Sequence, residues 1–339
     1  MHGIVSTLCR SLSLIFILIH VESRTLSASY PLSQYNYIAG SASNDGKTIY
    51  LSGLQENNAD PILLQTKNGG ASYSTLTAGD MKIGSVATTG DGKTMVAGAD
   101  DGVYLGVSLD KVSSKYLPKC AIQATGFSSY QVSMSANGKV MAAGCARAGN
   151  LMVSTDSGKS WDKGPSGKWA SVQVSNSGDS IIAASSDSVY ISKNSGKTWN
   201  KSPFTGAYNS ATVSGDGTVF YVNQYASRFG KDTGSMVKST DYGQTWEPVA
   251  PCIGLEPISS FSGKNVLVKA TNPSKGPWLM STNAGQSFFQ TGPKPDNGGC
   301  RSWHTIGFSN QGNSIYGTCD NSLYRSTNDG KSWQSIGPA

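Results

Sequence analysis

Residues 154–161 read STDSGKSW, residues 192–199 read SKNSGKTW, and residues 239–246 read STDYGQTW. Two more copies follow, STNAGQSF at 281–288 and STNDGKSW at 326–333. An earlier one, TKNGGASY at 66–73, keeps the pattern with Tyr73 in the aromatic place. A degraded copy is expected in SLDKVSSKY at 108–116, marked by Asp110. With Asn68, Asp110, Asp156, Asn194, Asp241, Asn283 and Asn328 as markers, the spacing runs from 38 to 47 residues. That is the period of a propeller blade built from four short strands.

A second marker keeps step with the first. Each unit opens on an alternating strand that ends in a glycine turn, as in IGSVATTGDGKTMVAG (83–98) and YNSATVSGDGTVFYV (208–222). Period-two alternation around Asp-Gly or Asn-Gly is the strongest short hairpin signal. Each unit therefore reads strand A, glycine turn, strand B, loop, strand C, box, strand D. Seven A–B hairpins agree with seven C–D hairpins, so an all-β, seven-bladed β-propeller is expected. The box has a local logic: its Asp or Asn accepts backbone N–H groups of its own turn, and the glycine two residues on supplies a positive φ. The terminal aromatic packs back on the hairpin. Turn chemistry accounts for every residue type in the box, so the boxes are read as structural.

Composition agrees with this. Forty of 339 residues are glycine, only 14% are charged, and no stretch carries sustained helical periodicity. Residues 1–23 read as an export signal, with Arg10 closing a weakly basic start and an apolar run from Leu12 to Ile19. Cleavage is expected near Arg24, after Val21 and Ser23, leaving residues 24–339 as one propeller domain. No later run reaches the roughly 18 apolar residues of a membrane span. The net charge of +6 is spread thinly, which excludes nucleic acid as a partner. The leader carries away His2 and His20, so no histidine-based metal site is expected and no cofactor is implied.

The S/T-x-D/N-x-G-x-S/T-W pattern resembles the Asp-box (BNR) repeats of the sialidase-like propeller superfamily, from about residue 35 to the C-terminus. That resemblance implies the fold strongly and the activity weakly. Similar repeats occur in sialidases, xyloglucan-cleaving glycosidases, sortilin-type sorting receptors and photosystem II assembly factors of the Ycf48/HCF136 type, the last closest in size. Sialidases need an arginine cluster with an R-I-P type motif before the first box. Here that motif is absent, and after the leader only Arg24, Arg147, Arg228, Arg301 and Arg325 remain. Sialidase chemistry is therefore not expected.

In this superfamily the face carrying the B–C and D–A loops holds ligands, opposite the A–B turns and the boxes. From its carboxylates, Asp60, Asp100, Asp101, Asp232, Glu256 and Asp320 are the candidates for the acid pair of a glycosidase. Its other binding candidates are Arg147, Tyr208, Tyr225, Arg228, Arg301 and Trp303, several of them from the long insertions at 223–234 and 289–303. Tyr37, Trp169, Tyr208 and Trp303 hold one place in their units. They form either a collar at the channel mouth or packing between blades, and recurrence with the repeat favours packing. Cys120 and Cys145 flank blade three as Cys300 and Cys319 flank blade seven, so disulfides within each pair are expected. Cys252 is left over, as a free thiol or a competitor for Cys300. Asn200, in Asn200-Lys201-Ser202, is the one unblocked glycosylation sequon. The resulting expectation is a secreted, monomeric, non-catalytic protein binding a glycan or a protein. A glycoside hydrolase and an assembly factor are the alternatives.

Overall fold

A computed structural model describes residues 35–55, 61–76, 82–108, 111–115, 117, 120, 130–203, 208–224, 235–249, 254–270, 278–293, 300, 303–309, 314–319 and 322–336. The leader, Asp60, Asp110, Tyr225, Arg228, Asp232, Cys252, Arg301 and Asp320 lie outside the described residues. Seven four-stranded antiparallel sheets follow one another along the chain, each made of four consecutive strands. The inner strands are Tyr35–Ala42, Ile83–Thr88, Tyr130–Met134, Trp169–Val174, Tyr208–Val213, Gly254–Ser259 and Trp303–Phe308. Each touches the next around a ring, and the first touches the seventh. The chain is a seven-bladed β-propeller.

Because every strand alternates, each blade has two apolar faces, and the core lies between blades. Ile182, Ala184 and Ile191 of blade four meet Tyr208, Val213 and Phe220 of blade five. The ring closes in the same way: Ile49, Leu51 and Leu64 of blade one pack on Ile306, Tyr316 and Leu323 of blade seven. Among the described residues no strand is exchanged at this seam, since both blades are built from their own four consecutive strands. Blade two closes its outer hairpin tightly, with Ser108 facing Lys111, so the degraded copy there has lost the box spacing.

The other boxes show the expected turn with two additions. In blade three, Asp156 Oδ1 accepts the Ser160 N–H at 2.9 Å, while Ser154 Oγ donates to Asp156 and accepts the Gly158 N–H. The residue before the glycine is also left-handed, as Ser157 (φ 63°), Ser195 (57°), Tyr242 (58°), Ala284 (56°) and Asp329 (56°) show. The boxes are also not purely local. Trp246 Nε1 of blade five donates to Ser202 Oγ of blade four at 2.8 Å, and Trp333 Nε1 donates to Thr291 Oγ1 of blade six at 2.8 Å. Each of these boxes fastens its blade to the one before it.

The Asp156 and Asp241 carboxyls are drawn down to about 2, first by the hydroxyls of Ser160 and Thr245 and then by the N–H groups of the same residues. A folded value below the ordinary 3.8 stabilises the fold fully above about pH 4, and this contribution is lost as pH falls toward 2. The boxes at Asn194, Asn283 and Asn328 make the same turn without charge. The double variant Asp156→Asn/Asp241→Asn should therefore keep the fold and flatten the acid limb of a urea-midpoint profile. An equally steep acid limb in the variant would contradict the assignment.

Candidate functional site

The two faces of the ring differ in how their polar groups are used. At the turn face, the A–B turns join into a belt of backbone hydrogen bonds. Asn44 N–H donates to Gly90 O, Gly90 N–H to Ala136 O, Ala136 N–H to Asn176 O and Asn176 N–H to Gly215 O, at 2.7 to 3.0 Å. Below this belt the inner strands lie edge to edge without forming a common sheet. Their exposed edge groups are met by serines: Ser41 accepts the Thr88 N–H, Ser85 the Val132 N–H and Ser133 the Val174 N–H. The box side chains are likewise committed to their own turns. The backbone groups of this face are taken up in holding the ring together.

The loop face is stapled covalently. Cys120 bonds Cys145 and Cys300 bonds Cys319, with Cα–Cα distances of 5.6 and 5.3 Å. Each bond ties the segment entering an inner strand to the end of the second strand of the same blade. Both sequence pairings are therefore those found.

The expected site residues are distributed unevenly. Arg147 follows Cys145 on the loop of blade three and is half-buried. Asp100 and Asp101 lie on one loop of blade two, where Asp101 Oδ2 accepts the Tyr104 hydroxyl at 2.6 Å. That carboxylate and burial push the Tyr104 phenol well up, burial being the larger cause. Trp303 opens the inner strand of blade seven, paired with Cys319. Tyr208 is only 3% exposed and packs with Phe220 and Val222 between blades four and five. It is a core residue and does not line an open site. Trp169 is buried in the same manner, so where the side chains are described the recurring aromatic is a packing device. Asn200 is exposed on the outermost strand of blade four.

Glu256 stands apart. Among the described residues, five of the six non-glycine residues with positive φ sit in box turns, and the sixth is Glu256 (φ 53°), inside the inner strand of blade six. It lies in a bulge between Leu255 and Ile258. Its N–H donates to Ser210 Oγ of blade five at 3.2 Å. Its carboxylate is 3.7 Å from Lys269 Nζ and 3.9 Å from His304 Nδ1. Burial lowers the His304 pKa, the Lys269 charge lowers it further and Glu256 opposes them, so the imidazole is neutral near pH 7. Two strands of blade six and one of blade seven thus bring an acid, a base and a cation together at the loop end of the channel.

All three residues break the repeat. In the other blades the Glu256 place holds Ala39, Ser85, Gln131, Ser171, Ser210 and Thr305. The Lys269 place, six residues after the turn glycine, holds Ser52, Gly98, Gly144, Ala184, Asn223 and Thr318. No other blade has a histidine at the His304 place. Lys269 escaped the sequence reading, which sought loops and carboxylates; aligning the blades and looking for departures from neutral consensus would have found it. Among the described residues no group of three or more His, Cys, Asp or Glu is placed to hold a metal, and no helix is long and apolar enough to cross a membrane.

No protein-family model and no curated protein matches the chain. Solved structures do. An ancestral GH74 enzyme is similar over 92% of this chain at 16% identity and a TM-score of 0.64, the chain spanning 48% of that enzyme. An oligogalacturonate lyase in complex with manganese is similar over 91% of this chain and 96% of its own, at 9% identity and a TM-score of 0.63. YCF48 bound to a D1 peptide aligns over 95% of this chain and 88% of its own, at 15% identity and a TM-score of 0.45. At such identities the likeness of the first two is one of shape alone, and the strands themselves give the fold: a seven-bladed β-propeller.

Proposed function

We propose that the protein is an exported, non-catalytic recognition module that holds a glycan or a protein on its loop face, with Glu256, Lys269 and His304 at the centre of the contact. The carrying observation is that three departures from the repeat, on three strands, meet at one seam, and that one of them is held in a strained backbone conformation. Strain of this kind costs on the order of 1–2 kcal/mol and is kept where the surrounding structure uses it. The two disulfides favour an oxidising compartment and hold the loops of this face in place before a ligand arrives.

Recognition is favoured over hydrolysis by what the carboxylates do. Of the described candidates, Asp101 is engaged by Tyr104 and Glu256 by Lys269, each within its own local group. A glycan array run beside a broad glycosidase panel on the exported chain tests the reading. Binding without turnover is expected, and Lys269→Ala should weaken it at least tenfold, ~1.4 kcal/mol. Turnover abolished by Glu256→Gln would replace the reading with a glycosidase. Glu256→Gly separates function from folding: it should lose the ligand yet unfold at the same or a higher urea concentration, because glycine relieves the left-handed strain.

A further inference from the structure

We propose that the turn end of the central channel is a second binding site, on the face opposite the first, for a small neutral polyhydroxylated ligand the size of one sugar ring. A cavity of about 200 Å³ lies there, inside the ring of inner strands. It is lined by hydroxyls, amides and apolar side chains, and no charged residue among the described ones reaches it. An ionic ligand would lose its hydration without a counter-charge, which selects against it. A neutral ligand rich in hydroxyls meets no such cost.

The lining also has hydrogen-bonding capacity to spare. Thr212 is only 4% exposed and lines the cavity, yet its hydroxyl bonds to no described residue. The Gln173 carbonyl accepts a long bond from Ser133 Oγ at 3.4 Å, while its NH₂ group has no partner among the described residues. Ser41 Oγ accepts the Thr88 N–H, leaving its own proton to donate. Thr212 is buried and Gln173 and Ser41 are half-buried, so these groups face the cavity and take as partner either water or a ligand that replaces water.

The rim supplies the other half of a sugar site. The second residue of the A–B turn is Asn44, Gly90, Ala136, Asn176 and Gly215 in blades one to five, and Phe261 in blade six. Phe261 is 45% exposed, lines the cavity and lies against Gly215. The turn itself needs no aromatic there, as the other five show. An exposed ring beside a hydroxyl-lined cavity offers an apolar face for the C–H face of a sugar or cyclitol, with polar groups behind it to orient the hydroxyls.

Saturation-transfer NMR and calorimetry with methyl glycosides and myo-inositol test this, with glucuronate as the charged counterpart. Saturable binding to at least one neutral probe is expected at about millimolar Kd, with none to glucuronate. Phe261→Ala should weaken it roughly tenfold and Thr212→Val several-fold, both keeping the wild-type melting curve. Glu256→Gln, on the other face, should leave it unchanged, so failure here and failure of the loop-face reading are distinguishable. Absence of saturation with every probe at about 50 mM, or equal binding by wild type and Phe261→Ala, would overturn the proposal and leave a channel that holds only water.

Discussion

Reduction of the two disulfides is expected to lower the unfolding free energy by about 3 kcal/mol for each bond broken. The bonds join residues 25 and 19 positions apart, and loops of that length set the chain-entropy figure. They belong to blades three and seven and share no packing cluster, so their effects should be close to additive. Urea unfolding of Cys120→Ser/Cys145→Ser, Cys300→Ser/Cys319→Ser and the combined variant checks this against wild type with and without reductant. A loss below about 1 kcal/mol for either pair would contradict it. Peptide mapping without reductant should recover both pairs and leave the Cys252 thiol open to alkylation. Each bond also spans the loop face, so under the proposed recognition role the reduced protein should bind more weakly there even where it remains folded.

The second large effect lies at Trp169. Its ring is fully buried between blades three and four, donates through Nε1 to Gly149 O at 3.1 Å, and meets Tyr190 edge-on at 5.9 Å. It lies so close to Gly144 that a Cβ there would come within 2.7 Å of it. Trp169→Ala should cost ~3–5 kcal/mol, from lost burial and from a cavity that a rigid strand pair cannot collapse around. Trp161, a half-buried box aromatic, should cost clearly less when truncated. Equal losses for the two variants would contradict this and show that the box aromatic carries the seam as much as the inner-strand aromatic does.

Much of the architecture was legible before any coordinates. The box spacing and the Gly-turn hairpins count seven blades because both signals are contiguous: the Asp or Asn, its hydroxyl partner and its glycine lie within a few residues of one another. The disulfide pairs were readable for a related reason, since equivalent places in two blades repeat the same geometry. Where each box reaches was not readable. Trp246 finds Ser202 across a blade boundary, 44 residues away, and nothing in either octapeptide specifies that distance.

The loop-face cluster shows the same division. Glu256 was visible as a carboxylate and His304 as a lone histidine, but their meeting is set by how blade six packs on blade seven. Tyr208 looked available on the same reasoning and is instead buried, because an aromatic that recurs with the repeat is used to join blades. The amino-acid order therefore specifies the turn chemistry, the blade number and the faces, all of which follow from local hydrogen bonding and period-two patterning. The convergence of Glu256, Lys269 and His304, and the uncharged cavity behind Phe261, arise when sheets distant in sequence close into a ring. Such contacts depend on the twist and spacing of whole blades, which no single segment encodes.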